Sequence, residues 1–212
     1  ILYFPKVKKE LEMQKNSIQL FCNRVFVSDN CKDILPDFLT MLKGVIDSPD
    51  IPLNVSRSHL QVDRTVKQVS SHISKKVSDR LSNLFTTDRD KFIESWKDTE
   101  IIVKLGAMQE DKFFDRIKDV LIWKNLDGSW TTLKEYLERN NSKHENKIYY
   151  TSSEKDLSHF ANLYKENNIE VLATSPFIDS HFFNHLEGKM SPTSFQRIDA
   201  SIDDAIIDSS KE

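Results

Sequence analysis

Glycine is scarce in this sequence, and the scarcity excludes a class of chemistry. Gly44, Gly106, Gly128 and Gly188 are the only four in 212 residues. Neither G-x-x-x-x-G-K-[ST] nor G-x-G-x-x-G occurs, so no contiguous loop cradles a phosphate, which argues against a self-contained nucleotide enzyme. G-x-S-x-G and a paired C-x-x-C are missing too, which removes the nucleophile elbow and local thiol-pair chemistry. Cysteine is rarer still. Cys22 and Cys31 are too few for a disulfide framework, so free, buried or half-buried thiols and a reducing, cytoplasmic setting are expected. No apolar run approaches the roughly 18 residues of a membrane span. Lys and Arg number 30 against 33 Asp and Glu, for a net charge of −3. A chain without a basic field has no general attraction for nucleic acid or anionic membrane, and neither partner is expected.

What is present fits a globular protein large enough for one or two cores. The chain opens on Ile1-Leu2-Tyr3-Phe4 with no initiator Met; this reads as a strand and suggests a piece of a longer chain. Residues 18–28 are rich in β-branched and aromatic side chains and read as one strand beside Leu2–Phe4, with a charged loop over 6–17 between them. Leu35, Phe38, Leu39, Leu42, Val45 and Ile46 have helical spacing, with Asp33 as cap and Pro36 in the first turn. Pro49 and Pro52 then hold the backbone extended. Val62, Val66, Val69, Ile73, Val77, Leu81 and Leu84 form the single apolar stripe of a long helix. Its Arg64, Lys67, Lys75, Lys76 and Arg80 read as a solvated face rather than an anion groove. Two further helices are expected, from Asp90 and from Asp111, separated at Gly106.

From Leu121 strands and helices alternate. Strands are expected at 121–123, 147–151, 169–173 and 195–198, with a turn at Asp127-Gly128. Thr132-x-x-Glu135 is a capping box for a helix over 133–139. A second helix turns Leu157, Phe160, Ala161 and Tyr164 inward, and a third spans 180–186. Such alternation implies a small, mostly parallel sheet covered by helices. The expected fold class is α/β: two α/β units, the first truncated, joined by a helical connector. The divisions fall at 1–58, 59–120 and 121–199, followed by an acidic linker or tail over 200–212.

Two places have residues suited to chemistry. His181 and His185 stand one helical turn apart with Glu187 after them, a metal-like spacing that lacks a third ligand in a zinc-type pattern, so a helix face is the expectation and no metal. The loop Ile51-Pro52-Leu53-Asn54-Val55-Ser56-Arg57-Ser58-His59-Leu60-Gln61 is different. It gathers Asn54, Ser56, Arg57 and Gln61 at a helix start, where unpaired N–H groups and a guanidinium fork face an anion. A structural reading competes: Ser58-x-x-Gln61 fits a capping box, Ser56 alone caps a helix, and Asn54 makes a turn.

The run Asp47-Ser48-Pro49-Asp50-Ile51-Pro52-Leu53-Asn54-Val55-Ser56-Arg57, with Leu60-Gln61 after it, resembles the signature of the heat-shock protein 90 chaperone family in its bacterial type. Arg24-Val25-Phe26-Val27, Leu35-Pro36-Asp37-Phe38-Leu39 and Lys43-Gly44-Val45-Ile46-Asp47 support it upstream; Lys147-Ile148-Tyr149-Tyr150 and Glu170-Val171-Leu172 do so downstream. The resemblance covers most of the chain and is weakest over 88–142 and in the tail. It implies the later part of a middle domain, between an N-terminal ATP-binding domain and a C-terminal dimerisation domain. It also implies that Arg57 reaches the γ-phosphate of ATP bound with Mg by the N-terminal domain, and that Asn54 and Gln61 help form the catalytic loop. Ser56 is assigned to capping. Unfolded or partly folded client proteins are the implied partners, and the parent is a homodimer. The short, charged stretch 6–17 departs from the aromatic-containing amphipathic loop of many members, so no client contact is carried over to it. A non-catalytic α/β interaction module is the alternative.

Overall fold

The computed structural model describes residues 1–4, 18–29, 34–49, 64–140, 142–152, 160–175 and 177–198. The chain is α/β and divides into two compact units, Ile1–Ile117 and Lys118–Glu212. The charged stretch 6–17, Cys31, the cap at Asp33, the inward Leu157 and the acidic tail 200–212 lie outside the described residues.

In the first unit the single strand expected over 18–28 is a hairpin. Strand β2 (Ile18–Cys22) and strand β3 (Val25–Ser28) pair antiparallel across Asn23-Arg24. Both turn residues are left-handed, at φ 49° and 65°, the turn geometry whose twist matches that of the flanking strands. No glycine marks the position, and the only sign of it in the sequence is the polar pair Asn23-Arg24 between apolar flanks. Strand β1 (Leu2–Tyr3) is not beside β2. Strand β4 (Lys43–Asp47) lies between them, antiparallel to β1 and parallel to β2, giving the order β1-β4-β2-β3.

The helix expected over 34–46 is also absent. A 3-10 turn at Asp37–Leu39 precedes β4. Leu35, Phe38, Leu39 and Leu42 are all buried, so their helical spacing served a compact turn instead. Gly44 makes the strand possible at this point. Its φ is 141°, and a β-carbon there would overlap the Ile1 carbonyl oxygen, which accepts the Val45 N–H at 2.8 Å.

Helix α1 (Arg64–Thr87) follows the expected stripe: Val66, Ile73 and Leu81 are buried, while Arg64, Lys67, Lys75, Lys76 and Arg80 are exposed. Asp88 caps helix α2 (Arg89–Gln109), its Oδ1 accepting the Lys91 N–H at 3.1 Å. Gly106 does not end this helix. It sits inside α2 and faces the ring of Phe38. The break comes at Glu110, whose backbone is extended (φ −127°, ψ 106°) and whose Oε2 accepts the Ser74 hydroxyl at 2.7 Å. Helix α3 (Asp111–Ile117) then turns Phe113, Phe114 and Ile117 into the core. Buried Lys104 is paired with Glu100 one turn earlier on α2.

The second unit holds a five-stranded sheet in the order β6-β5-β8-β7-β9. Strands β5 (Ile122–Asn125) and β6 (Trp130–Thr132) form a hairpin through Asp127-Gly128. Strand β8 (Val171–Ala173) is antiparallel to β5 but parallel to β7 (Lys147–Thr151), which is parallel to β9 (Ser194–Arg197). The sheet is therefore mixed rather than mostly parallel, because the β5–β6 hairpin, with β6 unexpected from the sequence, extends one edge. The capping box forms: Thr132 N donates to Glu135 Oε2 at 2.8 Å and Glu135 N to Thr132 Oγ1 at 3.1 Å, opening helix α4 (Leu133–Asn140). Neighbouring residues of a strand face opposite sides of a sheet. Tyr149 meets Tyr164 of helix α5 (Phe160–Glu166) at 5.1 Å, and Tyr150 meets Phe183 of helix α6 (Asp179–Lys189) at 4.7 Å. The two helices thus cover opposite faces.

Candidate functional site: the strand-to-helix loop and its frame

Asn54, Arg57 and Gln61, with Ser56 and His59, lie outside the described residues. The structure describes the two ends from which residues 50–63 are strung. At the exit, Arg64 begins the 24-residue helix α1, and Val66 is buried two residues on, which seats the first turn in the core. At the entry, β4 runs beside β2 with Phe21 opposite Asp47. Ser48 N donates to the Phe21 carbonyl at 3.1 Å. Arg24 N donates to Asp47 Oδ1 at 3.3 Å. The buried thiol of Cys22 is 3.8 Å from the Pro49 carbonyl oxygen as a weak donor. Both ends of the segment thus rest on packed secondary structure, the arrangement from which functional loops are usually presented. The Arg24–Asp47 contact was not anticipated from the sequence; the available signal was Asn23, a residue that tolerates the left-handed turn.

The histidine spacing does not assemble a site. His181 is exposed, and His185 stacks on Phe182 at 6.1 Å between centroids. Glu187 Oε1 accepts the Phe195 N–H at 2.7 Å, so this carboxylate ties α6 to β9. Among the described residues no group of three or more His, Cys, Asp or Glu side chains could hold a metal ion. The basic face of α1 is solvated at Lys67 and Lys75. Lys76 and Arg80 also line a groove of about 670 Å3 within the first unit, with Leu2, Phe4, Val77 and Leu84 contributing apolar surface.

The second unit concentrates its polar contacts where α4 meets the sheet. Arg139 grips Glu170 with two parallel hydrogen bonds, Nε to Oε1 at 2.9 Å and Nη2 to Oε2 at 2.8 Å. Its Nη2 also donates to Thr131 Oγ1 at 2.9 Å. Those bonds hold the Glu170 carboxyl below its usual range and raise Arg139. Tyr136 donates its hydroxyl to the Glu170 carbonyl at 2.7 Å and accepts the Tyr149 N–H at 3.2 Å; burial pushes its phenol up. Burial likewise pushes the His144 imidazole down, and its Nδ1 lies 2.9 Å from the Lys147 carbonyl oxygen. Arg139 and Tyr136 connect α4 to the sheet and His144 ties the turn after α4 to β7, which makes them a structural brace. Among the described residues no helix is long and apolar enough to cross a membrane.

The chain is similar to known proteins along most of its length. The Hsp90 protein family model matches residues 1–202. Chaperone protein HtpG of Bacteroides fragilis is 42% identical over 98% of this chain and 31% of its own length. That of Porphyromonas gingivalis is 42% identical over 94% of this chain and 30% of its own. HtpG of Geobacter sulfurreducens is 31% identical over 84% of this chain and 29% of its own. The chain therefore spans about 31% of the length of the first of these relatives. With a family model matching residues 1–202 and a relative 42% identical over 98% of this sequence, the chain belongs to the Hsp90 protein family.

Proposed function

We propose that this chain is the later part of the middle domain of an ATP-dependent molecular chaperone that assists protein folding. The observation that carries the reading is the near-continuous family signature from Asp47 to Arg57, with Leu60-Gln61 after it. Arg57 serves ATP held with Mg by an N-terminal domain outside this chain. Asn54 and Gln61 complete the catalytic loop, and Ser56 caps the helix behind it. Hydrolysis builds negative charge on the phosphate oxygens, and a planar guanidinium stabilises that charge when the two domains close on each other. Making one group depend on docking couples turnover to conformation. The chain's own scarcity of phosphate-cradling motifs accords with a split site. Client proteins are the substrates of the chaperone cycle, the parent is a homodimer through a C-terminal domain, and the setting is cytoplasmic.

The test is Arg57→Ala in the full-length parent. Steady-state ATP hydrolysis should fall by at least tenfold, while thermal unfolding of the isolated chain is unchanged. Wild-type turnover in that variant removes Arg57 from the mechanism and leaves the loop as a capped turn in an interaction module.

A further inference from the structure

Helix α1 lines the groove of the first unit with cations that nothing beside them neutralises. His72, Lys76 and Arg80 stand one helical turn apart on α1, so the row runs about 12 Å along the helix axis. All three line the groove of about 670 Å3, and all three are exposed. The lining beside them is apolar: Leu2, Phe4, Val77 and Leu84 contribute to it and are only half-buried. Helix α2 adds Ser95, Asp98 and Thr99. Both hydroxyls are already used within α2, Ser95 donating to the Lys91 carbonyl at 2.8 Å and Thr99 to the Ser95 carbonyl at 3.0 Å. Among the described residues neither Lys76 nor Arg80 takes part in an ion pair, with Asp98 or with any other carboxylate.

We infer that this groove is a docking site for an amphipathic helix with an acidic edge, supplied by a partner protein. The half-buried apolar lining is the complement of such a helix's apolar stripe. The cations have the spacing of carboxylates at i, i+4 and i+8 of a helix laid alongside α1, so each meets one. A lipid-like anion has a single headgroup and would leave the rest of the row unmatched. The chain as a whole carries a net charge of −3, so an acidic partner is drawn by this row and not by a general field. Asp98 on α2 repels a carboxylate on its own side, which directs the acidic edge of the incoming helix toward α1. The groove takes no residue from the loop over 50–63, so the inference is independent of the role proposed for Arg57.

The experiment titrates the full-length parent into two fluorescein-labelled peptides of about 18 residues, or five helical turns, and reads anisotropy. One peptide carries leucines at helical spacing with glutamates one turn apart beside them; the other has lysine in place of every glutamate. The glutamate peptide should bind about tenfold more tightly, a margin that added salt reduces. Lys76→Glu with Arg80→Glu should reverse the preference, and Val77→Gln should weaken both peptides. If circular dichroism shows the double reversal to be unfolded, Lys76→Gln with Arg80→Gln replaces it and should abolish the preference. Equal affinity for the two peptides, an unchanged preference in the double variant, or unchanged affinity in Val77→Gln each overturns the inference. Failure of the folded parent to bind either peptide overturns it as well, since the groove is then covered within the parent itself.

Discussion

Gly106 of helix α2 lies flat against the ring of Phe38: a β-carbon at position 106 would overlap Cδ2 and Cε2 and stand 2.9 Å from Cγ. The ring has nowhere easy to go, because Phe38 is buried and packs on Phe113 at 4.8 Å between centroids. The turn Asp37–Leu39 approaches α2 this closely only because the helix presents a hydrogen where other residues carry a methyl group.

Gly106→Ala should therefore destabilise the chain. Helix propensity alone favours alanine by about 1 kcal/mol, but forcing a ring out of a packed site costs about 1–3 kcal/mol, so the net effect is loss. Gly188 in α6 is the control: nothing lies within 4 Å of a β-carbon built there. Gly188→Ala should be neutral or stabilise by up to about 1 kcal/mol. Thermal unfolding is the check: the midpoint falls in Gly106→Ala and holds or rises in Gly188→Ala.

Asp179→Ala is expected to be more damaging to the second unit. The Asp179 carboxylate is buried, accepts the Trp123 indole N–H at 3.1 Å and the Ser175 N–H at 2.7 Å. Removing it takes the charged acceptor from both donors, a loss of about 2–3 kcal/mol or more. Trp123 also lies against Phe182 and Phe183, so its emission should shift along with the unfolding midpoint in denaturant. An unchanged midpoint would show that the indole finds another acceptor.

The Arg139–Glu170 pair makes the stability of the second unit depend on pH. Glu170 is held below its ordinary value, near 4.5, when folded, so the unfolded chain binds a proton first as pH falls. The pair's contribution is complete above about pH 4.5 and is lost as pH drops through the folded value. Both partners are partly exposed, which keeps the contribution near the upper end of surface pairs, about 1 kcal/mol. Glu170→Gln should thus be less stable than the parent at pH 7, and the difference should shrink as pH falls through the folded value of Glu170, as read from denaturant midpoints across the acid range.

Local signals in the sequence were reliable where one residue's neighbours decide its conformation. The capping box at Thr132 and Glu135 formed as read, since both hydrogen bonds close within a single turn. Strand 147–151 likewise has the expected bounds, its Ile148 and Tyr149 buried between layers. The stripe on α1 was legible because helical periodicity repeats often enough over 24 residues to leave one solution. Residues 34–46 were not, because the spacing of Leu35, Phe38, Leu39, Leu42, Val45 and Ile46 satisfies a helix and a turn-then-strand equally well. The hairpin at Asn23-Arg24 is not legible in the sequence, since left-handed turns without glycine have no strong composition signal. Gly106 misled for the opposite reason: glycine signals a helix end more often than a close approach.

The same division holds for the candidate site. Sequence by itself determined the family signature, the order of Asp47, Asn54, Arg57 and Gln61, and the lack of a self-contained phosphate loop, because these are properties of contiguous residues. Only the tertiary structure decided what holds the root of that loop. Arg24 and Asp47 are 23 residues apart, and their contact exists because β4 inserts beside β2 in parallel register. Such pairing depends on how strands from separated segments meet in the sheet, and no pattern along the chain encodes it.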